Sequence, residues 1–308
     1  MAENSALFAG LGVAFIFGFS FLFTKEGLAV LAPFHLLGLR FGLAVVVFTL
    51  LRLTGSVKID LKGKNLGMLL LLSAVEPVTY FVCETIGIKM TSSSETGMMI
   101  AMVPVVTTLL GMIFLNEKPS PAQMAFILLS VAGVVFIVAM KGSMEIGRNL
   151  IGTFVVMGAV VCAGIYNVLS RKLSLEYSPL EITYVMMWVG AVVFNGISVA
   201  QHVISGNLQQ YFAPLGNIKV VVSIGYLGFL SSVVAYLLLN FMLSKVEAAR
   251  SSVFTNLATV FSIFAGVTLG HEPFYWFNAV GGIMILLGVW GTNRCGRKRE
   301  AIKSSDIG

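Results

Sequence analysis

The sequence predicts an all-α integral membrane protein: ten transmembrane helices, arranged as two inverted five-helix repeats around a central cavity. Three observations lead there. The chain is 57% hydrophobic and only 11% charged, where a soluble domain averages about 45–50% apolar and about 25% charged. Apolar windows of about 20 residues, the length that crosses a bilayer as a helix, recur ten times. Motifs of the first half return in the same order in the second.

The ten windows are 5–24, 33–51, 66–88, 92–115 and 121–140, then 150–170, 179–204, 218–243, 249–270 and 274–293. No basic residue precedes 5–24 and no small-residue cleavage pattern ends it, so it reads as a first span rather than a signal peptide. The windows group into a repeat over 5–140, a repeat over 150–293 and a basic tail over 294–308.

The repeat is visible in two pairs of segments. "GFSFLFTKEGLAVLAP" (18–33) aligns with "GIYNVLSRKLSLEYSP" (164–179), matching Gly18 with Gly164, Lys25 with Arg171 and Pro33 with Pro179. "VVTTLLGMIFLNEKP" (105–119) aligns with "VFSIFAGVTLGHEPF" (260–274), matching Gly111 with Gly266 and Glu117 with Glu272. Five spans per repeat is an odd number, so the second repeat enters the membrane upside down, the architecture of alternating access about a midplane site.

Charge sets the expected orientation. With ten spans both termini share a side. Fourteen of the 20 Lys and Arg residues, from Arg52, Lys58 and Lys62 to the tail, fall on that side. Lys25, Lys89, Lys141, Arg148 and Lys219 fall on the other, and Arg40 lies within a span. The positive-inside rule then places both termini in the cytoplasm, with the tail on anionic lipid. The formal charge of +6 is thereby assigned to membrane orientation, and nucleic acid is not an expected partner.

Helices in lipid pack through small residues. Ala6, Gly10, Ala14 and Gly18 recur every fourth position in the first span, and Ala258, Ser262, Gly266 and Gly270 in the ninth. Both stripes read as packing seams, with sliding surfaces as the alternative.

The informative stretch is "EPVTYFVCET" (76–85) in the third span. An ionised side chain at the centre of a spanning helix costs about 2.5–3.5 kcal/mol unless it meets a cavity, a partner or a proton. Regular helical phase puts Glu76, Thr79, Tyr80 and Cys83 on one face and turns Glu84 about 80° away, nearer the surface. Pro77 would free a backbone carbonyl one turn earlier. Arg40 falls at about the depth of Glu76 and is the expected partner of either glutamate. Three roles stand open: Arg40 and a glutamate tying two helices together, a glutamate changing protonation during transport, or Glu84 snorkelling to the interface.

Tyr80, Tyr166, Asn167, Tyr236 and Asn240 could line a route for a polar solute. Each, like Asn195 and Asn256, could instead make an interhelical hydrogen bond. "TSSSETG" (91–97) has capping-box spacing, Ser92 to Glu95, at the start of the fourth span. Pro104 should kink that span. Glu117 and Glu272 read as end-of-helix anchors.

Other chemistry finds no motif. GxxxxGK[ST], HExxH, GxSxG and Asp-rich diphosphate patterns do not occur. Cys83, Cys162 and Cys295 are far apart and His35, His202 and His271 scattered, so no metal or cofactor is expected.

The segment "GIKMTSSSETGMMIAMVPVVTTLLGMIFLNEKPSPAQMAFILLSVAGVVFIV" resembles the end of a repeat in the drug/metabolite transporter superfamily, EamA type. Its features here are the turn from Gly87 to Ser94, Pro104, Gly111, Glu117 and Gly133. Arg40 followed by Phe41 resembles that family's Arg-Phe pair. The second half departs from the pattern, with Thr259 where a proline is usual and Val246-Glu247 in place of Thr-Ser. The resemblance implies a ten-helix fold with a central cavity that exports or exchanges metabolites, often on an ion gradient.

Together these readings give a secondary active transporter of the cytoplasmic membrane for small metabolites such as amino acids, outward and against protons. Its expected route carries Glu76, Glu84, Arg40, Tyr80, Tyr166, Asn167, Tyr236 and Asn240, and its partners are a small-molecule substrate and membrane lipid. The alternatives are a passive facilitator or channel and an intramembrane enzyme. The enzyme would need paired catalytic groups at one interface, which the sequence lacks.

Overall fold

The computed structural model describes residues 2–115, 120–142, 148–245 and 248–305. The readings placed above on Glu117, Val246 and Glu247 fall outside these residues, as do the side chains of Ala6, Gly111, Asn256 and the tail beyond Cys295.

Apolar runs become helices and the polar breaks become turns. The helices are α1 (Ala2–Leu28), α2 (Pro33–Leu53), α3 (Leu66–Ser73), α4 (Tyr80–Met90), α5 (Ser93–Ile100), α6 (Val103–Leu115) and α7 (Pro121–Gly142). The second half supplies α8 (Arg148–Leu173), α9 (Pro179–Ile204), α10 (Ile218–Gly225), α11 (Tyr236–Lys245), α12 (Ala248–Thr268) and α13 (Trp276–Ser305). Among the described residues, seven spans are long and apolar enough to cross a bilayer, and three shorter apolar helices within α7, α12 and α13 bring the set to ten. The tail continues α13 as helix to Ser305.

Local chemistry sets the helix ends. Pro33 and Pro179 begin α2 and α9, where the missing N–H has no helical partner anyway. Ser178 and Glu181 form a capping box, and Ser92 accepts from the Glu95 N–H at the start of α5. Glu181 also holds Lys64 at 2.7 Å, tying the loop after α2 to α9. The loop between α9 and α10 is pinned by Tyr211, whose hydroxyl donates to Asn195 at 2.7 Å. Its carbonyl meets His35 at 2.8 Å. His35 and His202, 167 positions apart, meet edge to face beside it with ring centroids 4.6 Å apart.

Three spans depart from regular α-helix partway along. Between α3 and α4 the chain is π-helical over Ala74–Thr79, and Glu76 has extended dihedrals, φ −144° and ψ 117°. A residue before proline is pushed out of the helical region by the proline ring, and Pro77 supplies that push. The matching span of the second half widens into a π-helix over Tyr226–Ala235. The fourth span breaks at Ala101–Met102, just before Pro104. The ninth does not break: Thr259 continues α12 and donates to the Gly97 carbonyl at 2.9 Å.

The main helix pairings cross between halves: α1 with α12, α7 with α13, α2 with α9 and α4 with α8. Small residues permit them. A Cβ on Gly18 would lie 2.7 Å from the Ala258 carbonyl oxygen, and one on Gly270 2.8 Å from a Leu22 methyl. Gly97 abuts Ser262, and Gly266 abuts Ser94 and Glu272. The small-residue stripes thus lie in seams between the repeats, where lipid supplies no drive and close backbone approach must.

Candidate functional site

A cavity of about 90 Å³ lies between the repeats. A site of about 10–15 Å³ on this measure holds one water, so it has room for several waters or a small solute. Its wall comes from both halves in matching positions. Gly18 and Gly164 set a register of 146 in the first spans, and Gly111 and Gly266 one of 155 in the later ones. In that register Phe17 pairs with Ala163, Ser20 with Tyr166 and Phe21 with Asn167. Glu76 likewise pairs with Ser231, Phe81 with Tyr236 and Glu84 with Leu239. All twelve line the cavity. The two halves therefore place the same positions on the wall but not the same chemistry: both acids come from the first half.

The broken third span explains the acids. Regular helical phase separates Glu76 from Glu84 by about 80°. The extended backbone at Glu76 resets that phase, and both carboxyls reach the one cavity, 4% and 3% exposed. Glu84, enclosed by protein, does not snorkel. Thr79, expected on the cavity face, is exposed instead, and its hydroxyl donates to the Ala74 carbonyl at 2.8 Å.

Each carboxyl has one oxygen held by a tyrosine. The Tyr236 hydroxyl, from the second half, donates to Glu76 Oε1. The Tyr80 hydroxyl approaches Glu84 Oε1 at 3.3 Å. Among the described residues, Oε2 of neither glutamate has a hydrogen-bond partner.

Arg40 is buried, 1% exposed, in the same wall. It is not the ion-pair partner expected of it: among the described residues no glutamate oxygen lies within 4.0 Å of its guanidinium. Nε donates to Ser232 Oγ at 2.8 Å and Nη2 to Ser231 Oγ at 2.9 Å, while the Phe81 ring centroid lies 4.1 Å from Cζ. The π-helix at Tyr226–Ala235 is what presents two consecutive serines to one guanidinium. Sequence reasoning passed over Ser231 and Ser232, though Ser231 stands 155 positions from Glu76.

Of the remaining expected residues, Tyr166, Tyr236, Tyr80 and Asn167 line the cavity. Asn240 does not. It lies behind the wall with its amide occupied, accepting from Tyr166 at 2.8 Å and Ser170 at 2.7 Å and donating to Thr183 at 3.0 Å. Asn195 likewise spends its amide on Tyr211, Gly38 and Ala191.

Glu272 is more than an end-of-helix anchor. It follows the turn that ends α12, with His271 left-handed at φ 50° and the Glu272 N–H returned to the Gly266 carbonyl at 3.0 Å. The carboxylate then accepts four hydrogen bonds of 2.6–2.9 Å, from the N–H and hydroxyl groups of Ser93 and Ser94. Burial pushes this carboxyl up, but those four bonds outweigh burial and hold it below the ordinary range. The serines of "TSSSETG" thus receive an acid from the other repeat as well as capping their own helix.

Comparison with known proteins agrees with this architecture. The model of the EamA-like transporter family matches the chain twice, over residues 4–139 and 150–294. An uncharacterized transporter of Bacillus subtilis (strain 168), YcxC, is 35% identical over 94% of this chain and 93% of its own. A probable terminal-alkyne amino-acid exporter of Streptantibioticus cattleyicolor is 28% identical over 78% of each chain. A probable amino-acid metabolite efflux pump of Escherichia coli (strain K12) is 22% identical over 94% of this chain and 95% of its own. A solved crystal structure, 16% identical, superposes with a TM-score of 0.63 over 96% of this chain and 99% of that one, a likeness of fold.

Proposed function

The chain belongs to the EamA-like transporter family, and from that membership we propose that it is a secondary active transporter that exports or exchanges small metabolites, amino acids among them, against protons. That it is a membrane transporter of small metabolites follows from the family and its relatives. The cargo class is supported by two relatives named for amino-acid export. The coupling is our own reading, and one observation carries it: a cavity between oppositely inserted repeats is lined by two buried carboxyls, each with an oxygen that has no partner. Such groups are costly in a membrane unless protons or ligands satisfy them in turn.

In this reading Glu76 and Glu84 exchange protons, and Arg40 sets the field they feel. Tyr80, Tyr166, Asn167 and Tyr236 line the route, and Asn240 stiffens it from behind. The repeats correspond to 5–140 and 150–293. The 294–308 tail rests on anionic lipid at the cytoplasmic face, with both termini on that side of the cell membrane.

The test is transport in inside-out vesicles under an imposed pH gradient. The native chain should accumulate labelled amino acid only with the gradient. Glu76→Gln and Glu84→Gln, singly and together, should abolish that dependence. Equilibration of tracer without accumulation would establish a facilitator instead, and pH-driven flux surviving in the double variant would remove the proton role from both residues.

A further inference from the structure

We infer that the cavity binds its substrate through a primary ammonium group, held by the carboxyls of Glu76 and Glu84. The inference deepens the transport reading by naming the chemistry that the same cavity recognises.

Among the described residues, the fully buried wall atoms that lack partners are acceptors. Glu76 Oε2 and Glu84 Oε2 are both buried and have no hydrogen bond from the described residues. Their Oε1 atoms are tethered to Tyr236 and Tyr80, so each carboxyl is oriented with one acceptor in reserve. The terminal torsion of a glutamate is soft, and a small turn about it brings that acceptor to the cavity. An ammonium carries three donors and no acceptor, and two carboxyl oxygens with the Ser20 hydroxyl beside them on the wall suit it. The guanidinium is differently placed. Nε and Nη2 of Arg40 each donate to a serine, Ser232 and Ser231, and Phe81 covers its face, so two of its donors and one face are already engaged within the wall.

Charge balance points the same way. With Glu76 and Glu84 ionised and Arg40 cationic, the cavity holds one uncompensated negative charge, which is costly in a low-dielectric interior. One monocation or one proton cancels it. The two are therefore alternatives at the same oxygens: as the ammonium enters, one proton leaves, and the reverse step restores the starting state. The apolar remainder of the ligand lies against Phe17, Phe21 and Leu239.

The test uses the purified full-length protein in detergent at mildly alkaline pH, with isopentylamine, leucine and isocaproate as probes of matched carbon skeleton. Isopentylamine, leucine or both should raise the unfolding temperature by mass action, and isocaproate at equal concentration should not. A shift from both means that the ammonium suffices. A shift from leucine alone assigns it to an amino acid, and from isopentylamine alone to a simple amine. Glu76→Gln and Glu84→Gln should each weaken the effective ammonium ligand about tenfold or more, the loss of one charged hydrogen bond. Binding should also weaken as pH falls, because protons compete for the same oxygens. The other titratable groups near them, Arg40, Tyr80, Tyr166, Tyr236 and the thiols of Cys83 and Cys162, cannot supply that competition because all of them already carry their protons as the pH falls.

Isocaproate binding as well as its ammonium counterparts overturns the inference. So does the absence of a shift with either ammonium compound, a comparison made on the native chain and independent of any variant's folding. Unchanged affinity in the double variant overturns it as well. Ammonium binding without pH-driven flux would sink the coupled-transport reading and leave this one standing, and pH-driven flux without ammonium binding would do the reverse.

Discussion

The main-chain carbonyls of Ile88 and Leu243 occupy matching places in the two repeats, 155 positions apart, and each accepts a hydrogen bond from a cation. Lys25 Nζ lies 2.8 Å from the Ile88 oxygen and 2.6 Å from that of Thr91. Arg171 Nη1 lies 2.8 Å from the Leu243 oxygen. Lys25 and Arg171 are themselves matched residues, near the ends of α1 and α8. Each caps the third span of its own repeat, where helical carbonyls lack partners and the dipole favours positive charge.

Lys25→Met and Arg171→Met should each cost about 1.5–3 kcal/mol, the range for hydrogen bonds from charged groups. Thermal unfolding in detergent should show both as drops of several degrees. Unfolding temperatures equal to that of the native chain in both variants would strip these caps of any part in stability.

The Glu272 clamp predicts a pH dependence. Its carboxyl is held below the ordinary range in the folded chain, so acid makes the unfolded state bind a proton first. The stability it contributes is complete above the unfolded-state value and is lost as pH falls through the lower, folded one. Unfolding temperature measured down an acid series should decline for the native chain, with a smaller decline in Glu272→Gln. Parallel curves would show that the four bonds from Ser93 and Ser94 carry no linked proton.

Arg40 and Ser232 should behave as one unit. Ser232→Ala leaves the guanidinium short of an acceptor in a buried setting and should cost about 1–3 kcal/mol. In an Arg40→Met background the same change should cost close to nothing, so a double-mutant cycle on unfolding should be strongly non-additive. Additive effects would contradict the geometry.

Two glycines should respond in opposite ways. A Cβ on Gly288 would lie 2.6 Å from the Phe126 carbonyl oxygen, whereas one on Gly196 meets nothing within 4 Å. Gly288→Ala should therefore separate α7 from α13 at a cost of about 1–3 kcal/mol. Gly196→Ala, inside α9, should be neutral or stabilising by about 0.5–1 kcal/mol. Equal unfolding temperatures for the two variants would contradict the packing of α7 on α13.

How far the site could be read in advance varies by residue. Glu76 announces itself, because an acid amid apolar neighbours has few tolerable roles. Glu84 was misplaced, since phase counting assumes an unbroken helix and the backbone at Glu76 leaves the helical region. Arg40 was rightly placed within a span and wrongly paired, because two adjacent serines of an apolar run carry no signal that they will face a guanidinium 191 and 192 positions away. Asn240 is expected on the route or in an interhelical hydrogen bond; it takes the second role, because Tyr166, Ser170 and Thr183 occupy its amide behind the wall.

What the amino-acid order determined by itself is the set of spans, their caps, the small-residue seams and the doubled layout. These depend on local quantities: apolar length, turn chemistry and side-chain size. What only tertiary structure decided is which polar groups meet. That the Tyr236 hydroxyl finds Glu76, that Ser231 and Ser232 hold Arg40, and that Glu272 docks on Ser93 and Ser94 all follow from helices of opposite halves crossing at particular depths. Hydrogen bonds are short-ranged and directional, so a shift of one helical turn would have chosen other partners for the same residues.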